Sequence, residues 1–121
     1  MAINPTGAGL KQFLSADDEG PVCMLNLLRF APGGRAKYAE YLAHTRERGA
    51  KYGIELVYVG EGQTALVAED GQAWDAVLIA RYPNRAAFAS MVADPEYQAG
   101  THLRTEALTE AVLQPTVPWT D

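Results

Sequence analysis

The chain has 121 residues, 48% of them hydrophobic and 21% charged, a composition that suits one soluble globular domain with its own core. It excludes a disordered chain, a collagenous repeat and a disulfide scaffold. A formal charge of −5 argues against general nucleic-acid binding, which needs a basic surface, and no apolar run approaches the roughly 20 residues that span a bilayer.

Residues 5–16 read as a leading helix, with Leu10, Phe13 and Leu14 at helical spacing, Thr6 as N-cap and Asp17-Asp18-Glu19-Gly20-Pro21 as the stop. Val22 to Phe30 is apolar at both parities. One face carries Val22, Met24, Asn26, Leu28 and Phe30, and the other Cys23, Leu25, Leu27 and Arg29. A half-exposed strand would alternate, so this one is expected to be covered on both sides. Pro32-Gly33-Gly34 turns into a helix over 35–52, with an inward stripe of Tyr38, Tyr41, Leu42, Thr45, Gly49 and Tyr52 and with Gly53 as its C-cap.

Ile54 to Val59 is the second predicted strand, interrupted by a bulge or bend at Gly60-Glu61-Gly62 and resumed over Thr64 to Val67. Asp70-Gly71 then reads as a hairpin turn into a third strand, Trp74 to Tyr82, again apolar at both parities. Asn84 caps a helix with Ala87, Phe88, Met91 and Val92 inward. Asp94-Pro95 opens a short helix to about 108, and a last strand, 109–114, precedes a tail.

A leading helix followed by β-α-β-β-α-β is the split βαβ pattern of a ferredoxin-like α+β fold, a four-stranded antiparallel sheet with helices on one face. The expected organisation is a single domain, with a 22–114 core and a 115–121 tail. The second, equally apolar face then needs a cover. A second copy of the same sheet is the simplest one, which makes the expected assembly a homodimer with a closed interior.

Cys23 is the single cysteine; it cannot form an internal disulfide and fits a reducing compartment. Met1 to Leu14 lacks the charged and apolar regions of a secretory signal, so the expected location is cytoplasmic. One cysteine and two histidines leave no Cys/His zinc site, and neither a metal nor a cofactor is called for. Ser15 and Ser90, the only serines, have no base nearby, and neither a P-loop nor a nucleophile elbow is present. The basic run Arg35, Lys37, Arg46, Arg48 and Lys51 reads as a solvated helix face or as an anion-steering surface.

Asn26 is a neutral amide in a strand that otherwise reads as core, either bonded to a neighbouring loop or orienting a ligand in an apolar pocket. His44, beside the helix stripe, is either a packing histidine or a base. His102 and Arg104 on the short helix suit an anionic ligand or surface pairing. Tyr58, Trp74 and Tyr82 are core or interface aromatics, or the lining of an aromatic-ligand pocket. Arg29, Asp75 and Arg81 share odd parity, and Arg29 with Asp75 reads as a structural ion pair at a sheet end.

The stretches Met24 to Phe30, Tyr38-Ala39-Glu40-Tyr41, Trp74 to Val77, Arg81 to Phe88 and Asp94-Pro95-Glu96-Tyr97 resemble the family called domain of unknown function 1330, within the dimeric α/β-barrel superfamily. The resemblance implies a ferredoxin-like protomer that pairs sheet to sheet. It implies little chemistry, since superfamily relatives include cofactor-free monooxygenases, isomerases and haem-processing enzymes. The expected function is binding of a small organic ligand between sheet and helices, with cofactor-free oxygenation or isomerisation. The catalytic candidates are His44 and Asn26, and the ligand-binding candidates are Asn26, Tyr58, His102 and Arg104. The alternative is a non-catalytic homodimeric binding or accessory module.

Overall fold

A computed structural model describes residues 4–16 and 19–119. Among these described residues, nine elements run in chain order as α1 (Gly7–Leu14), β1 (Val22–Phe30), α2 (Gly34–Gly49, extended by a 3-10 turn Ala50–Tyr52), β2 (Glu55–Glu61), β3 (Ala76–Tyr82), α3 (Arg85–Ala93), α4 (Pro95–Gln98), α5 (Thr101–Ala107) and β4 (Leu108–Thr116). The strands form one sheet of order β2-β3-β1-β4, antiparallel at every pairing. This is the ferredoxin-like α+β fold.

Local chemistry sets the helix starts. The Thr6 hydroxyl accepts from the Gly9 amide at 3.0 Å, Asn84 Oδ1 from Ala87 at 2.8 Å and Asp94 Oδ1 from Glu96 at 2.8 Å, each satisfying an amide that the first turn leaves open. The Asp17-Asp18 part of the expected stop lies outside the described residues; α1 ends at Leu14 with Ser15 as its cap.

On β1, the even-numbered residues Val22, Met24, Asn26 and Leu28 are buried and the odd-numbered ones are not fully so. Leu78, Ala80 and Tyr82 on β3 join them beneath Tyr38 and Tyr41 of α2, Phe88 and Met91 of α3 and Tyr97 of α4. Phe88 sits edge-on between Phe13 and Tyr82, at centroid distances of 5.5 and 5.1 Å. That stack holds α1 to the domain, because α1 itself buries no residue. The opposite sheet face carries Leu25 and Leu27, paired to Ile79 and Val77, with Val112 beside Leu27 on β4.

Several expectations are corrected. Residues 64–67 do not resume a strand: Leu66 is 100% exposed and Val67 94%, since no neighbouring strand offers its bonds to them. The Gly62 amide instead donates to the Asp75 carbonyl at 2.8 Å, closing a long loop that contains Asp70-Gly71, so β3 starts at Ala76 rather than Trp74. A Cβ on Gly62 would lie 1.9 Å from the Trp74 carbonyl oxygen, so that closure requires glycine. The irregularity in β2 falls between Leu56 and Tyr58, not at the glycines.

The expected single helix from Pro95 to 108 is two helices. They part at Gly100, where a Cβ would lie 2.3 Å from the His44 ring. Arg29 does not pair with Asp75 either. It bonds Glu110 at 2.9 Å and lies over the Trp74 ring at 4.6 Å, while Asp75 accepts from the Phe30 amide at 2.8 Å.

Candidate functional site

Between the sheet and α2 lies a cavity of about 340 Å³, within the size range of small-molecule sites. Its floor is Met24, Asn26, Leu78 and Ala80 from the two central strands. Tyr38, Tyr41 and Thr45 of α2 form one wall, and Phe88, Met91, Tyr97 and Arg104 of α3–α5 the other. Asn4, Pro5 and Leu10 cover it. A second cavity of about 470 Å³ under α1 shares Asn4, Pro5, Leu10, Met24 and Phe88 with the first, so the N-terminal segment roofs both.

Arg104 is 5% exposed. Its Nη1 donates to Asn4 Oδ1 at 2.7 Å and the guanidinium also bonds the Tyr38 hydroxyl. Asn4 Nδ2 in turn donates to Thr105 Oγ1 at 3.2 Å. The Tyr41 and Tyr97 hydroxyls bond each other at 2.6 Å. Burial pushes Tyr38, Tyr82 and Tyr97 well above the ordinary phenol value of 10.0, with neighbouring Tyr41 adding to each. Those three phenols stay neutral and serve as donors, not bases. Asn26, 6% exposed, donates from Nδ2 to the Met24 carbonyl at 3.3 Å.

The structure brings Asn26 and Arg104 together on this cavity and places the other candidates elsewhere. His44 Nε2 lies 2.9 Å from the Glu96 carbonyl oxygen and 3.1 Å from that of Tyr97. Two carbonyl acceptors require Nε2 to carry the proton, so His44 ties α2 to α4 and lies outside the cavity lining. His102 is exposed on α5, two residues from Arg104. Positions two apart on a helix point to nearly opposite sides, so only one of the pair can face the cavity.

Tyr58 lies on the other side of the sheet. Regular alternation from Leu56 would have placed it on the helix side, but the one-residue shift at Val57 sets it opposite Ile79 instead, 55% exposed. The basic run on α2 meets carboxylates: Arg35 pairs Glu61, Lys37 Glu106, Arg48 Glu96 and Lys51 Asp94.

Sequence reasoning placed Tyr38, Tyr41 and Thr45 in a packing stripe and missed their polar tips. The available signal was three hydroxyl-bearing residues on the buried face of one helix, with Tyr97 opposite. Among the described residues, those lining the cavity supply phenols, amides, threonine hydroxyls and a guanidinium, but neither a carboxylate nor an imidazole. Such a lining can hold and orient an anion; it offers no base to take a proton from carbon.

The family described as Domain of unknown function (DUF1330) matches residues 29–114. The chain belongs to this family. Crystal structures of the RPA0582 protein, of unknown function and from Rhodopseudomonas palustris, resemble the DUF1330 chain at 32% identity. The TM-score is 0.88, over 98% of each chain; for the methylated protein it is 0.90, over 98% of this chain and 96% of that one.

A dimeric ferredoxin-like protein of unknown function from Jannaschia sp. CCS1 matches with a TM-score of 0.63 at 12% identity, over 82% of this chain and all of that one. A candidate antibiotic biosynthesis monooxygenase from Bacteroides thetaiotaomicron matches at 0.60 and 18% identity, over 84% and 91%. At such identities these two comparisons show the fold alone. No functionally curated protein matches the DUF1330 chain. Among its described residues no helix is long and apolar enough to cross a membrane.

Proposed function

We propose that this protein is a homodimeric binding module that holds one small organic anion in the cavity between sheet and helices of each subunit. The observation that carries the reading is Arg104, 5% exposed, set into the wall of a cavity lined otherwise by apolar and neutral polar side chains. Burying a guanidinium is costly, and a ligand carboxylate recovers that cost through a charge-assisted, bidentate bond. Asn26 on the floor and the Tyr38 phenol beside Arg104 supply further donors.

Size limits the ligand. A volume of about 340 Å³ lies at the small end of ligand pockets, which suits a single-ring acid rather than a nucleotide or a tetrapyrrole. The aromatic walls Tyr41, Tyr82 and Phe88 suit a flat apolar body.

The test is a thermal-shift series with benzoate and benzamide on the wild type and on Arg104→Gln. The acid is expected to raise Tm with concentration and the neutral amide not, and the variant is expected to lose the response to the acid. Equal stabilisation by both compounds, or an unaltered response in Arg104→Gln, would contradict the reading.

A catalytic reading draws support from one contact. The guanidinium of Arg104 and the neutral Tyr38 phenol that it bonds would together favour the enolate or phenolate form of an acidic substrate, as cofactor-free oxygenation requires. Oxygen uptake that depends on Arg104 with an enolisable acid would establish it; its absence with every acid that binds leaves the module.

A further inference from the structure

We infer that Thr45 is a second anchor for the ligand, so that the preferred occupant is a hydroxylated single-ring carboxylic acid, its carboxylate at Arg104 and its ring hydroxyl at Thr45. The inference rests on the anion-binding reading and specifies the chemistry at the other end of the same cavity. Thr45 is 4% exposed and lines the cavity, yet its Oγ1 makes no hydrogen bond among the described residues. A threonine inside a helix ordinarily satisfies its hydroxyl on the carbonyl of the preceding turn. Buried polar groups without a partner are rare in folded proteins and mark water, strain or a ligand.

Packing gives no reason for a hydroxyl here. Thr45 lines the cavity together with Met91, Ile54 and Val92, and valine would fill the same space with no polar atom to satisfy. The spacing fits one molecule that reaches both ends. Thr45 stands seven residues along α2 from Tyr38, whose hydroxyl bonds Arg104, a rise of about 10 Å. Asn26 lies on the floor, and Tyr41, its hydroxyl committed to Tyr97, forms part of the wall. An acid with only apolar atoms at its far end would leave Oγ1 dry and unbonded. One bearing a donor or acceptor there would satisfy it, and specificity through buried hydrogen bonds discriminates more strongly than apolar fit.

The experiment is titration calorimetry of the full-length protein with benzoate, 3-hydroxybenzoate and 4-hydroxybenzoate, repeated on Thr45→Val and Thr45→Ser. The wild type is expected to bind one hydroxybenzoate at least about tenfold more tightly than benzoate. Thr45→Val is expected to abolish that preference while still binding benzoate, and Thr45→Ser to retain it. Benzoate binding in Thr45→Val doubles as the check that the variant is folded. No preference in the wild type, or a preference that survives Thr45→Val, overturns the Thr45 anchor while benzoate binding leaves the anion site standing. The absence of binding by all three acids to the wild type overturns both.

Discussion

Asp94 closes three bonds where α3 hands over to α4. Its Oδ2 accepts from the Tyr52 hydroxyl at 2.5 Å and from Lys51 Nζ at 2.9 Å, and its Oδ1 accepts from the Glu96 amide at 2.8 Å. The Tyr52 bond first, then the Lys51 bond, holds the carboxyl at about 2, below its ordinary 3.8. A carboxyl lowered by folding stabilises the native state fully above its unfolded value and loses that contribution as pH falls through the folded one. Stability is therefore expected to fall between pH 3.8 and about 2, and Asp94→Asn, which keeps an N-cap acceptor, is expected to flatten that part of the profile. Urea unfolding at stepped pH checks it; an identical slope in the variant would contradict the assignment.

At the same scale, some of the site was readable and some was not. Asn26 announces itself as an amide among apolar neighbours. Arg104 could be suspected, but a sequence cannot tell which of His102 and Arg104 faces inward without the rotation of α5. Thr45 sat in the packing stripe because a threonine there looks like any small buried residue. That its hydroxyl finds no bond partner among the described residues depends on how the other elements pack against α2.

Among the elements, β1 was legible to both of its ends because nine apolar-rich residues between Gly-Pro and Pro-Gly leave no other choice. The tyrosine stripe of α2 was equally plain. The extra strand at 64–67 was misread because an apolar run supplies propensity but not a neighbour, and sheet bonding requires a neighbour. The break between α4 and α5 escaped notice because a lone glycine in a helical pattern is tolerated, and the His44 ring that packs against Gly100 comes from α2.

That close approach can be tested. Gly100→Ala would drive a methyl into the His44 ring, and relieving the clash means giving up the His44 bonds to the Glu96 and Tyr97 carbonyls. Overpacking of this kind costs about 1–3 kcal/mol. Urea denaturation of the variant is expected to show a loss in that range; a variant as stable as the wild type would mean that His44 is not a fixed tie.

At the scale of the whole molecule, the open sheet face asks for a partner. Leu25 and Leu27 cross Ile79 and Val77, flanked on the edge strand by Val57 and Tyr58 at 53% and 55% exposure. A continuous apolar sheet face of this kind rarely stays in water, and in the proposed homodimer an identical face on a second copy would cover it with two-fold symmetry. Leu27→Glu together with Ile79→Glu would bury four carboxylates in such an interface, and size-exclusion chromatography is expected to show a monomer. An unaltered dimer would place the interface on another surface. The exposed Tyr58, misassigned to the cleft, belongs to this face because of the one-residue bulge beside it.

The dimer and the anion site converge on native mass spectrometry of the freshly purified protein, never refolded, beside Arg104→Gln prepared the same way. The account predicts a species at twice 13.1 kDa that carries a reproducible small adduct in the wild type, released as an acid on activation and missing from the variant. A bare wild-type dimer that takes up none of the single-ring acids when they are added, or an adduct that survives Arg104→Gln, would contradict it.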